Sequence, residues 1–168
     1  MKKISSIVLF ISLLIFISSF QQKKEIIKGD LYFSWFRLGS FYNQPDSLVN
    51  AFKKYADTVD RTKIDGTDKL ILAMYDTLKK ENLLFSPFVE LRIGNDSIIN
   101  LYLSKSDYDK IKIYKRKELQ DKNKKVRIEV EARNLGHRMF LCERLVSVKK
   151  VSGHTFQTPS KFKIEDYY

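Results

Sequence analysis

The segment from Val126 to Arg133 alternates without a break. Val126, Ile128, Val130 and Ala132 fall on one side, and Arg127, Glu129, Glu131 and Arg133 on the other. A period of two places successive side chains on opposite faces of a strand. An apolar row opposed by a charged row therefore predicts an antiparallel sheet with one buried face and one wet face.

The same period recurs upstream. Val89, Leu91 and Ile93 alternate with Phe88, Glu90 and Arg92, and Ile99, Leu101 and Leu103 alternate with Ile98, Asn100 and Tyr102. Gly94-Asn95-Asp96 between them is turn chemistry, so 87–103 reads as a hairpin. Leu31 to Leu38 is aromatic-rich and ends at Gly39, which predicts a first strand. Ile111 and Ile113 alternate with Lys110 and Lys112, which predicts a strand over 110–117, with a short helix capped by Ser106 as the alternative. Gly136-His137 turns the chain into a further strand from Met139 to Val151. A last strand is expected near Phe162 to Ile164.

Two stretches follow the helical period instead. Leu48, Phe52, Tyr55 and Val59 recur at i, i+4, i+7 and i+11 after Pro45, with Asp46 or Ser47 as cap. Leu70, Ile71, Met74 and Leu78 mark a second helix, capped by Thr67, with Lys79 and Lys80 suited to its negative end. Helices segregated from a run of strands predict an α+β fold. The expected architecture is an antiparallel sheet of five or six strands with both N-terminal helices packed on one face. A sheet that curls strongly enough makes a cone or half-barrel.

The first twenty residues follow another logic. Lys2 and Lys3 precede an apolar run from Ile7 to Ile17, and Ser18 and Ser19 supply small residues for cleavage. This order predicts a secretory signal peptide over 1–20 and a protein exported to the bacterial periplasm, the cell envelope or the medium. The rival is an inner-membrane anchor over 4–20. That run is short for a span of about 20 apolar residues and carries five serines. Residues 21–30 read as an exposed lead-in and 31–168 as a single domain. Cys142 is the only cysteine, so no internal disulfide forms and no lipoprotein cysteine follows the apolar run.

The net charge is +11, and +9 once Lys2 and Lys3 leave. Such a charge favours anionic partners. In an exported protein these are anionic lipid, polysaccharide or acidic protein rather than nucleic acid. Nine Lys or Arg stand against four Asp or Glu between Lys105 and Lys125. If 110–117 paired with 124–134, then Lys115, Arg116, Lys117, Lys122, Lys124 and Lys125 would share one hairpin tip as an anion contact. A solvated turn is the bland alternative. Tyr32, Trp35, Phe41 and Tyr42 belong to a dense aromatic stretch that either stacks on a ligand or forms core.

Catalytic signatures are absent. The scattered glycines form no phosphate loop, and no metalloprotease or nucleophile-elbow motif occurs. No cofactor or metal set is implied. Asp57, Asp60, Asp65 and Asp68 lack the alternate spacing of a calcium loop. His137 and Cys142 lie five apart, which on a strand points them to opposite faces. Glu90, Glu129 and Glu131 are expected on outward faces. A non-enzymatic envelope protein that binds a ligand or anionic partner fits best. The alternatives are an envelope hydrolase with a carboxylate acid–base pair and a structural component without a ligand.

Overall fold

Every described strand of this chain finds two neighbours. In the computed structural model, which describes residues 24–33, 39–94 and 97–153, the strands are β1 (Lys24–Tyr32), β2 (Phe88–Ile93), β3 (Ser97–Tyr102), β4 (Lys124–Gly136) and β5 (Met139–Ser152). They pair in a closed ring, β1-β2-β3-β5-β4 and back to β1. Helices α1 (Asp46–Thr58) and α2 (Gly66–Lys80) lie between β1 and β2, and two short helices, α3 (Lys105–Ile111) and α4 (Arg116–Asp121), lie between β3 and β4. The fold is mixed α+β.

Closure depends on two devices. β1 is shared: Lys24 to Asp30 pair with β4, while Asp30 to Tyr32 pair with β2. β3 and β5 then meet in parallel over only three residue pairs, Asn100–Met139 to Tyr102–Leu141. Irregularities between Glu129 and Val130, Glu131 and Ala132, and Asn134 and Gly136 bend the long β4–β5 hairpin, as extra residues in one strand do. His137 and Arg138 turn that hairpin with φ of 50° and 55°, the left-handed pair that suits strand twist.

The inside of the ring is the main core. Ile27, Leu31, Leu91, Leu101, Ile128 and Val130 fill it, joined by Ile111 and Leu119 from the short helices. The outside of β2, β3 and β5 carries a second layer, in which Leu70, Met74 and Leu78 of α2 pack with Tyr102 and Met139. Arg133 of β4 bonds Glu81 beyond α2 at 2.7 Å. Helix α1 does not share that layer. Its Ala56 and Phe52 pack on Leu72 and Tyr75 of α2, a third layer rather than a second helix on the sheet.

Several expectations change. The lead-in over 21–30 becomes strand from Lys24, and Ile27 and Gly29 are buried in it. Its pattern is hard to read because the interior position between Ile27 and Leu31 is glycine. A Cβ there would meet Leu91 Cβ and Arg92 O at 3.0 Å. The strand over 110–117 does not form. Ser104, not Ser106, caps α3 by accepting the Asp107 N–H at 3.1 Å. Burial of Ile111 and exposure of Ile113 replace the alternation. Neither α1 nor α2 has a side-chain cap, so Asp46, Ser47 and Thr67 do not act as one. Leu48 and Tyr55 stay exposed, while Val49 and Ala56 are buried. The signal segment 1–20, Asn95-Asp96 and the last strand near 162–164 lie outside the described residues.

Candidate functional site: a ring-lined pocket beside a basic face

β1 ends at Tyr32. The neighbouring end of the ring is plugged by the α3–α4 segment through Ile111 and Leu119, each 1% exposed. Between plug and rim remains a pocket of about 300 Å³. Its aromatic walls are Tyr32, Phe33, Phe88, Tyr108 and Tyr114. Its charged groups are Glu90, Lys112, Lys115 and Arg116.

The charged groups differ in freedom. Glu90 is only 7% exposed, contrary to the outward, solvated position its alternation suggests, because the outer face of β2 is itself covered. Lys112 is held by Asp109 at 2.6 Å, which raises its pKa. Lys115 is exposed at the lip. The Arg92 guanidinium lies 5.0 Å over the Tyr32 ring, and its buried Nε and Nη2 have no acceptor among the described residues. Tyr42 meets Tyr108 edge-on at 5.4 Å, which brings a second residue of the aromatic stretch to the pocket wall.

The hairpin tip expected for the basic residues does not exist, because β4 pairs with β1 and β5 instead. The basic residues lie along α4 and the start of β4. Lys115 precedes α4, Arg116 and Lys117 open it, and Lys122 ends it. Lys122 bonds Glu118 at 3.4 Å, and Lys150 of β5 reaches the same carboxylate at 3.3 Å. These cations, Lys150 first, hold the Glu118 carboxyl below its ordinary pKa. Lys150 also sits 5.4 Å over the Tyr114 ring. A basic face thus runs from the pocket lip across α4 to Lys150 of β5. Lys124 begins β4 opposite Ser152.

Lys125 is committed elsewhere. It bonds Asp30 at 2.6 Å, and Arg127 bonds the same carboxylate at 2.9 and 3.3 Å. Burial alone would raise the Asp30 pKa, but the bonds from Arg127 and Lys125 outweigh it and lower it.

Of the aromatic candidates, Tyr32 lines the pocket and Tyr42 supports it, while Trp35 lies outside the described residues. Phe41 is elsewhere, packed 5.5 Å from Phe52 and 6.2 Å from Tyr75. It borders a separate apolar groove of about 310 Å³ between α1 and α2, next to Leu48 and Ile71. Lys149, Lys150, Tyr108 and Tyr114 went unsingled in the sequence. The one available signal was the Lys149-Lys150 pair near the end of β5.

The remaining candidates do not converge. Glu129 pairs with Lys28 and Glu131 with Arg144. Asp60 is taken up by Lys63, and Asp57 by Lys79. No metal-holding group of side chains occurs among the described residues. Cys142 is partly buried against the ring interior, and burial pushes its thiol up to about 11. No described helix is long and apolar enough to cross a membrane. No family model, curated protein or solved structure was found to match the chain.

Proposed function

We propose that this protein is exported across a bacterial inner membrane and serves in the envelope as a non-enzymatic binding module for an anionic partner. One observation carries the reading. Lys122 at the end of α4 and Lys150 of β5, nearly thirty residues apart in sequence, meet at Glu118, and Lys150 also lies over Tyr114. A one-sign surface concentrates counter-charge within a Debye length of about 8–10 Å. The ring-lined pocket opens at its edge, through Lys115 and Arg116. The export-type order of residues 1–20 supports the compartment. It favours acidic polysaccharide or anionic lipid over nucleic acid.

Glu129 and Glu131, two residues apart on β4, are each engaged by a cation, Lys28 and Arg144, and neither has Glu90 near it. Glu90 lies opposite Tyr32 and Glu129 opposite Lys28, four residues apart on β1. At about 3.3 Å per residue this is roughly 13 Å of backbone. Glycosidase carboxyl groups lie about 5–9.5 Å apart.

The test is binding to anionic lipid vesicles and to an acidic polysaccharide at low and high salt. The wild type is expected to bind one of them at low salt and release it at high salt. A variant with Lys115, Arg116, Lys117 and Lys150 changed to Gln should lose most of that binding and remain folded. Equal binding by the variant, or none by either, refutes the reading. Sequencing the N-terminus of envelope-fractionated protein checks export: a start near Ser19 or Phe20 is expected, and a full-length cytosolic chain contradicts it.

A further inference from the structure

We propose that the outer edge of β5 over 147–152 takes an extended acidic segment of another polypeptide as an added strand. This goes beyond the basic face, because it concerns the backbone of β5 rather than the side chains around α4.

The observation is a mismatch of strand lengths. β5 pairs with β4 from Met139 to Ser152, but β3 meets it only from Met139 to Leu141. Beyond Leu141 the edge that faces away from β4 makes no backbone hydrogen bond with any described residue. Buried backbone groups left unpaired are rare, so groups without a protein partner are in water. Exposure agrees: Glu143, Arg144, Val146, Lys149, Lys150 and Ser152 are all exposed. The lower part of this edge is broken by the irregularities opposite Glu129/Val130 and Glu131/Ala132. From the pair Glu129–Ser147 to the pair Lys124–Ser152 the register is unbroken, so 147–152 offers a regular ladder about 20 Å long. The Gly153 N–H bonds the Asn123 carbonyl at 3.1 Å, which ties down the end of that ladder.

Three features choose the occupant. A strand edge presents donors and acceptors in alternation, and an extended peptide backbone presents the matching series in return. A sugar chain or a lipid headgroup does not keep that register. Lysines on an edge oppose pairing with an identical edge, so Lys149 and Lys150 disfavour a second copy of this chain. They favour a strand that carries acids. Lys150 is already engaged by Glu118 at 3.3 Å. Lys149 stands opposite Arg127 of β4, a like charge, and forms no ion pair among the described residues. An Asp or Glu on the added strand beside Lys149 supplies the opposite charge that β4 does not. Val148 packs against the ring interior, so the neighbouring position of the added strand is apolar. The partner segment therefore alternates acidic and apolar residues.

The experiment adds to the full-length protein, at low salt, a short blocked peptide that alternates Glu and Val. One control replaces Glu by Lys, and another has every amide N-methylated, which keeps the charge and removes the donors. Amide hydrogen exchange along β5 is followed by NMR. In the free protein, the amides of 147–152 that bond β4 exchange slowly and the alternate ones fast. Peptide filling about nine-tenths of the sites should slow that fast set about tenfold, since exchange then proceeds from the unbound fraction. The Lys-bearing and N-methylated peptides should give no protection. Lys149→Glu, an exposed change opposite Arg127, should leave Tm unchanged and weaken the acidic peptide about fivefold or more, and the Lys-bearing peptide should bind that variant better than it binds wild type.

No protection within 147–152, equal binding of the N-methylated peptide, or undiminished binding by Lys149→Glu overturns the inference. Protection that rises with protein concentration without peptide also overturns it and assigns the edge to a second copy. If polyanions bind the basic face and no peptide protects β5, this inference fails and the broader reading stands. If the peptide protects β5 and polyanions do not bind, the broader reading fails and this inference stands.

Discussion

Asp30 is the corner of the ring, and its replacement by Asn should be felt in three ways. Its backbone is the one position on β1 opposite both Arg92 of β2 and Arg127 of β4. Its carboxylate gathers three bonds from Lys125 and Arg127. Breaking a fully buried charge pair costs about 3–5 kcal/mol, and an exposed one about 0–1. The Asp30 and Lys125 side chains are each 23% exposed and that of Arg127 is 40% exposed, so the cost lies between, at about 2 kcal/mol. For a domain of this size that lowers Tm by about 4–8 °C. The folded-state pKa of Asp30 is depressed. Its contribution is therefore complete above the unfolded value near 3.9 and disappears as pH falls through the lower folded value. Denaturant unfolding of wild type and Asp30→Asn at pH 7, pH 4 and pH 2.5 measures this. The gap should be full at pH 7 and close toward pH 2.5. Because the variant also frees Lys125 and Arg127, its affinity for anionic polymers at low salt should rise. An unchanged Tm at pH 7, or a gap constant with pH, would refute the assignment of Asp30 as the clamp between β1 and β4.

Two further outcomes are expected. Cys142, with a thiol raised to about 11 by burial, should label slowly with a thiol reagent at pH 8 and rapidly in denaturant; fast labelling of the native protein contradicts its place against the core. Gly39→Ala should destabilise by about 1–3 kcal/mol, because a Cβ there falls 2.1 Å from Phe88 Cζ, and Phe88 is stacked 5.6 Å from the fully buried Tyr102; a Tm within 1 °C of wild type contradicts that close approach.

Some of this architecture is legible in the residues and some is not. The β2–β3 hairpin and β4 alternate cleanly because each has one face in the ring interior, and period two survives wherever burial is one-sided. The second layer outside β2 and β3 breaks that rule at Glu90, Asn100 and Tyr102, which are buried on the face a simple sheet would leave wet. β1 is obscured by Gly29, where close packing forbids the apolar side chain that would complete its row. The α3–α4 plug shows two isoleucines at strand spacing, and only the cap at Ser104 distinguishes it. Ring closure through three parallel residue pairs joins β3 to a strand nearly forty residues on, and no local pattern records such a contact. The pocket shares that fate. Tyr32, Glu90, Tyr114 and Lys115 come from three separate segments, so the aromatic stretch and the basic run each signal a feature without showing that they meet.

The central claim is that the α4–β5 face and its adjoining pocket form one anion-recognising surface. Amide and methyl NMR mapping during titration with a polyuronate at low salt tests it most directly. Signals of Lys115 to Lys117, Lys150, Tyr108 and Tyr114 are expected to move together along one binding curve, while those of α1 stay still. Shifts centred on the groove between α1 and α2, or shifts scattered over all lysines alike, would contradict it.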